Sequence, residues 1–146
     1  MSALGVCLSV IAALGQTPPA PSATVFVPVT AFTLAWTHSI EKVRWEEDYA
    51  AETDAGTGQP QLHALAARIK GSAAGMEPPD DAVLRNGWYH YKPPLTHPGQ
   101  LRLTRSAYTA DYEWCAAGRC QPMSKLIAAT ADITTVSACF NPKPDR

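Results

Sequence analysis

The sequence predicts a single all-β domain, a small sandwich or partly closed barrel of short, mostly antiparallel strands. Three observations predict it. Thirteen prolines occur in 146 residues, well above the usual ~5%, and prolines interrupt helices but are tolerated at turns and strand edges. Short runs alternate apolar with polar residues, the two-residue period of half-buried strands. Turn signals separate about nine such runs at regular spacing, as sandwiches and small barrels require. A chain of this length fits one domain, 1–146, with an ordered core over roughly 4–140 and a loose tail at 141–146.

The elements follow in order. Val6 to Leu14 is an apolar run read as a first, buried strand. It has the length of a secretory h-region, but no Lys or Arg precedes Lys42, so the charged segment of a signal peptide is missing. It is also shorter than the ~20 residues of a membrane span. Pro18, Pro19 and Pro21 mark a turn or linker. Strands are expected from Thr24, over Phe32–Thr37 with Phe32, Leu34 and Trp36 on one face, and over Ile40–Tyr49, before a polar turn at Glu52–Pro60. Gln61–Lys70 fits two periods: a helical stripe through Leu62, Leu65, Ala66 and Ile69, or an alternation through His63, Leu65, Ala67 and Ile69. Asn86-Gly87 between two apolar runs is a strong two-residue hairpin signal, since both turn residues must take positive φ. Further strands are expected at Leu101–Arg105 and Ile133–Phe140, with one helical turn at Ser124–Ala129.

Four cysteines bear on the compartment. Cys115 and Cys120 bracket Ala-Ala-Gly-Arg, read as a four-residue hairpin loop that brings them within bridging distance. Cys7 and Cys139 lie near the two ends of the chain, and a second bridge follows if the first and last strands are neighbours. The other readings are reduced cysteines packing as small hydrophobes, and zinc, which wants two closely spaced pairs where only one exists. Bridged cysteines imply an oxidising, periplasmic setting; the missing signal, taken alone, implies the cytoplasm.

A net charge of -1 with 17% charged residues argues against a nucleic-acid surface, which needs a basic excess. No phosphate loop, dinucleotide fingerprint, nucleophile elbow or metalloprotease motif occurs, so no enzyme, cofactor or metal is read from the sequence. The densest polar cluster is Thr37-His38-Ser39-Ile40-Glu41, followed by Glu46-Glu47-Asp48. A histidine near carboxylates can be a base or a ligand contact, although in a strand His38 and Glu41 face opposite ways. The bland reading is a tight turn with a solvated acidic edge beyond it. The remaining histidines, His63, His90 and His97, are scattered without ligand spacing.

Phe32–Asp48 (FTLAWTHSIEKVRWEED) and Ala67–Pro79 (ARIKGSAAGMEPP) resemble a bacterial family catalogued as domain of unknown function 1850. Gly87-Trp88, Leu103-Thr104-Arg105-Ser106, and Cys115 with Gly118 and Cys120 resemble that family's later landmarks. The resemblance implies a β-rich domain and a strand at 61–70. It also implies a gene setting beside solute transporters of the TRAP type with TAXI-type binding proteins, and it carries no enzymatic activity. It directs attention to His38, Ser39, Glu41, Glu47, Gly75 and Glu77. Three functions are then expected in turn: an accessory domain docking on a TRAP transporter subunit, a small-ligand (organic acid) binder with His38 and Glu41 at a pocket mouth, and, remotely, a hydrolase using His38.

Overall fold

The computed structural model describes residues 2–11, 24–37, 42–71, 79–106, 108–129 and 132–142. These form two antiparallel sheets packed face to face, a sandwich that does not close into a barrel. The strands are β1 (Leu4–Ile11), β2 (Val25–Val27), β3 (Ala31–Thr37), β4 (Arg44–Thr53), β5 (Pro60–Lys70), β6 (Val83–Arg85), β7 (Trp88–Tyr91), β8 (Leu101–Thr104), β9 (Glu113–Ala116), β10 (Arg119–Pro122) and β11 (Ile133–Phe140). The small sheet runs β2-β1-β11-β8 and the large one β10-β9-β3-β4-β5-β7-β6. Among the described residues, no helix is long and apolar enough to cross a membrane.

The core lies between the sheets. Val6 and Leu8 of β1 and Val136 of β11 meet Phe32 and Leu34 of β3, Leu62 of β5 and Trp114 of β9. Phe32 stacks on Trp114 with ring centroids 4.2 Å apart, a contact that adds to what area burial alone provides. The apolar N-terminal run is thus a strand of the fold: β1 is paired on both sides, with β2 and β11. It starts two residues earlier than expected, at Leu4, and residues 12–14 of the expected strand lie outside the described set. β2 crosses close over Gly5, for a Cβ there would sit 2.6 Å from the Phe26 ring and from the Val27 carbonyl oxygen. Asn141, expected in the loose tail, extends the β1–β11 ladder by donating to the Ala3 carbonyl.

Both disulfides form. Cys115 and Cys120 are direct cross-strand partners, and Cys7 bridges Cys139 with Cα atoms 5.9 Å apart, joining adjacent first and last strands. The loop at 116–119 is shorter than expected. Ala116 pairs with Arg119, leaving a two-residue turn in which Ala117 and Gly118 take φ of 52° and 78°. Asn86 and Gly87 do the same at 52° and 82°, confirming the hairpin read from that dipeptide. The helical turn expected after Met123 is a single 3₁₀ turn, Met123–Lys125.

Gln61–Lys70 is a strand, but neither period describes it. β5 buries Leu62 and Ala64, then Ala67 and Ile69. Asp48 pairs with Ala66 and Tyr49 with Ala64, so Leu65 is the extra residue of a β-bulge. The bulge shifts the inward phase by one, which is why the segment shows helix-like spacing while lying in a sheet. β4 also differs from expectation. Ile40 and Glu41 of the expected strand lie outside the described residues, Lys42 and Val43 precede β4, and β4 runs from Arg44 to Thr53. It lies between β3 and β5, so its acidic run is central and not an edge.

One buried cation anchors the small sheet. Arg105 is 2% exposed and its guanidinium grips both carboxylate oxygens of Asp111 at 2.8 and 3.0 Å. Its other donors reach the Ile127 and Ala128 carbonyls and the Thr134 hydroxyl. A charge this deep persists only when every donor is satisfied, and here it ties the 3₁₀ segment to β8 and β11.

Candidate interaction face on the large sheet

The outer face of the large sheet, turned away from the core, carries a ladder of alternating charges. Strand alternation places Arg44, Glu46 and Asp48 on this face of β4, since their partners Thr37, Ala35 and Thr33 alternate with the inward residues of β3. Cross-strand pairing adds Arg68 opposite Glu46 and Glu113 opposite Ala35. The contacts then run in sequence. Arg44 Nη2 donates to Glu113 at 2.8 Å and Nε to Glu46 at 2.6 Å. Arg68 Nε donates to the other Glu46 oxygen at 2.7 Å, and its two terminal nitrogens grip Asp48 at 2.8 and 3.2 Å. The Thr33 hydroxyl closes the row on Asp48 at 2.6 Å. Ala35, fully buried, lies beneath the side chains that flank it.

The electrostatics make these fixed charges. Burial raises the Glu46 carboxyl, but the hydrogen bonds from Arg44 and Arg68 outweigh it and hold the group below the ordinary range. Burial likewise raises Asp48, and Arg68 with Thr33 reverses the shift. Carboxylates held this way stay ionised at neutral pH and are poor general bases, whose values should sit near the working pH. Two open depressions flank the ladder. One of about 640 Å³ lies between Thr33, Asp48, Arg68 and the Cys115–Cys120 hairpin; the other, of about 540 Å³, lies among Asp81, Val83, His90 and Lys92. Leu65, lifted by the bulge and 46% exposed, borders both.

Of the residues to which the sequence directs attention, His38, Ser39, Glu41, Gly75 and Glu77 lie outside the described residues. Glu47 is described and turns inward, opposite Leu34 and Ala67. It accepts a hydrogen bond from the Tyr49 hydroxyl at 2.6 Å. Burial first, and then Glu47, pushes the Tyr49 phenol well above its ordinary value. The acidic triplet is therefore split: Glu46 and Asp48 join the ladder, and Glu47 joins the aromatic interior. The described ends of the two motif-bearing connections, Thr37 and Lys70, sit at the same end of the large sheet, where Thr37 pairs with Arg44 and Ile69 with Trp45.

Sequence reasoning missed Thr33, Arg44, Arg68 and Glu113, which are separated along the chain by up to 80 positions. It also missed the meeting of Glu52, His63 and His97. The signal available was alternation: once β9, β3, β4 and β5 are registered, every ladder residue falls on one face. A second group, Glu113 with Cys115 and Cys120, holds no thiolate, because its sulfurs form the bridge.

No curated protein and no solved structure matches the chain. The family described as "Domain of unknown function (DUF1850)" matches residues 32–123, well over half of the chain and all of the ladder, and the chain belongs to that family.

Proposed function

We propose that this domain is a non-catalytic accessory module that docks the outer face of its large sheet on a protein partner, a subunit of a TAXI-type TRAP solute transporter. The observation that carries the reading is the ladder of paired charges bordered by the exposed Leu65. Charges already paired with one another need not be stripped of water singly when a partner covers them. The uncovered apolar Leu65 and the depressions around it supply shape and burial at the centre of a contact. The resemblance to a family found beside such transporters favours the choice of partner. Two bridged cysteine pairs fit an oxidising compartment.

A small-ligand role has less support on this face. Two cations line the larger depression. Arg68 has its donors committed to Glu46 and Asp48, and Arg119 is exposed on the hairpin, where a solvated guanidinium holds an organic acid only weakly. Crosslinked capture from the host's own membranes distinguishes the readings. The accessory reading expects transporter subunits to be enriched on the wild-type chain and lost on Leu65→Asp. A folded chain that captures none, yet is stabilised against heat by organic acids, would replace it with the ligand reading.

A further inference from the structure

Glu52, His63 and His97 come from three different elements and converge at the other end of the outer face. Glu52 pairs with Gln61 across the β4–β5 hairpin, and His63, two residues further along β5, is its diagonal neighbour on the same face. His97 arrives from the connection between β7 and β8, which runs along the edge of β5 beyond the last β7 pair and is fastened there by the Ala64 amide donating to the Thr96 carbonyl. The two imidazoles stack with centroids 4.7 Å apart and turn their edges to one carboxylate. His63 Nδ1 lies 3.4 Å from one Glu52 oxygen and His97 Nε2 lies 3.4 Å from the other.

Those separations are long for hydrogen bonds, which cluster near ~2.9 Å. Each is close to the spacing of two ligand atoms on one ion. Two ligand atoms at about 2.0–2.1 Å from zinc, subtending a tetrahedral angle, lie about 3.3 Å apart. One donor atom from each residue can be chosen so that all three lie within 4.8 Å of one another. The surroundings also hold the ligands in place. Thr96 Oγ1 lies 3.2 Å from His97 Nδ1, so the far ring nitrogen is engaged while Nε2 faces Glu52, and Gln61 Nε2 donates to Glu52 Oε1 at 3.1 Å. Outer partners of this kind fix the ring orientation of metal-bound histidine.

We propose that Glu52, His63 and His97 bind a divalent transition-metal ion, with Zn²⁺ as the representative, and that water fills the remaining positions. The donor set of two imidazoles and one carboxylate suits zinc and its neighbours, not calcium or magnesium, which prefer all-oxygen shells. The side chains are 35–47% exposed, so the ion enters directly from solution. Once bound, it would tie the β4–β5 hairpin to the β7–β8 connection.

The test is isothermal calorimetry of the untagged, oxidised full chain titrated with zinc chloride. One ion should bind per chain, and His63→Ala and His97→Ala should each weaken binding by about tenfold or more. His90→Ala, altered further along the same face, should bind as wild type does. His97 lies outside the strands, so its variant tests the site without disturbing a ladder. No saturable binding up to ~1 mM zinc, or undiminished binding by the His63→Ala/His97→Ala double variant, would overturn the proposal.

Discussion

At the scale of single residues, Arg105 and Ala117 hold opposite positions in the energetics. Arg105 is buried with its guanidinium shared among Asp111, two carbonyls and Thr134. Removing it leaves the Asp111 carboxylate without its cation. Arg105→Ala is therefore expected to lower unfolding free energy by about 3–5 kcal/mol, read from urea denaturation; a loss under ~1 kcal/mol would mean the network contributes little. Ala117 instead sits at φ 52° in a two-residue turn, a conformation that asparagine adopts more readily than alanine. Ala117→Asn would reproduce the Asn-Gly pair of the other hairpin, and should raise stability by about 0.5–1 kcal/mol by the same measurement.

At the scale of elements, the ladder across β9, β3, β4 and β5 makes stability depend on acid in a definite sense. Glu46 and Asp48 are held below their ordinary values, so their contribution is fully present above their unfolded values, near ~4. It is lost as pH falls through the lower folded values. The urea midpoint should stay level from neutral pH to about 5 and fall below ~4. In Arg68→Leu it should start lower at neutral pH and fall less on acidification; an equal acid loss in that variant would remove the ladder from the account. Much at this scale was legible from residue order. Asn86-Gly87 announced a turn by its chemistry, and Phe32, Leu34 and Trp36 announced an inward face by alternation. Leu65 did not announce the bulge, because a bulge is a property of two strands and only pairing with β4 shows which residue is extra. The ladder was hidden for the same reason: Glu113 and Arg44 are neighbours only across β3.

At the scale of the whole molecule, the two disulfides close loops of very different length. The Cys7–Cys139 bridge spans 132 positions and Cys115–Cys120 only 5. In the loop-entropy account they contribute about 5 and about 2 kcal/mol respectively. Replacing each pair by serine should therefore destabilise the end-to-end variant more, with the larger drop in urea midpoint; the reverse order would show that native packing, and not chain closure, dominates. β1, β2 and β11 lie outside the 32–123 span that matches the family, yet they supply most of the small sheet that covers the core. The small sheet covers the core side of the large sheet, which leaves the ladder, Leu65 and the two depressions on the opposite side.

Amide hydrogen exchange distinguishes the two faces. The domain would be compared alone and with a purified transporter subunit. Added protection is expected along β4, β5 and β7 around Leu65, with the β1–β11 pair unchanged. Protection confined to the small sheet, or none anywhere at saturating subunit, would contradict that expectation.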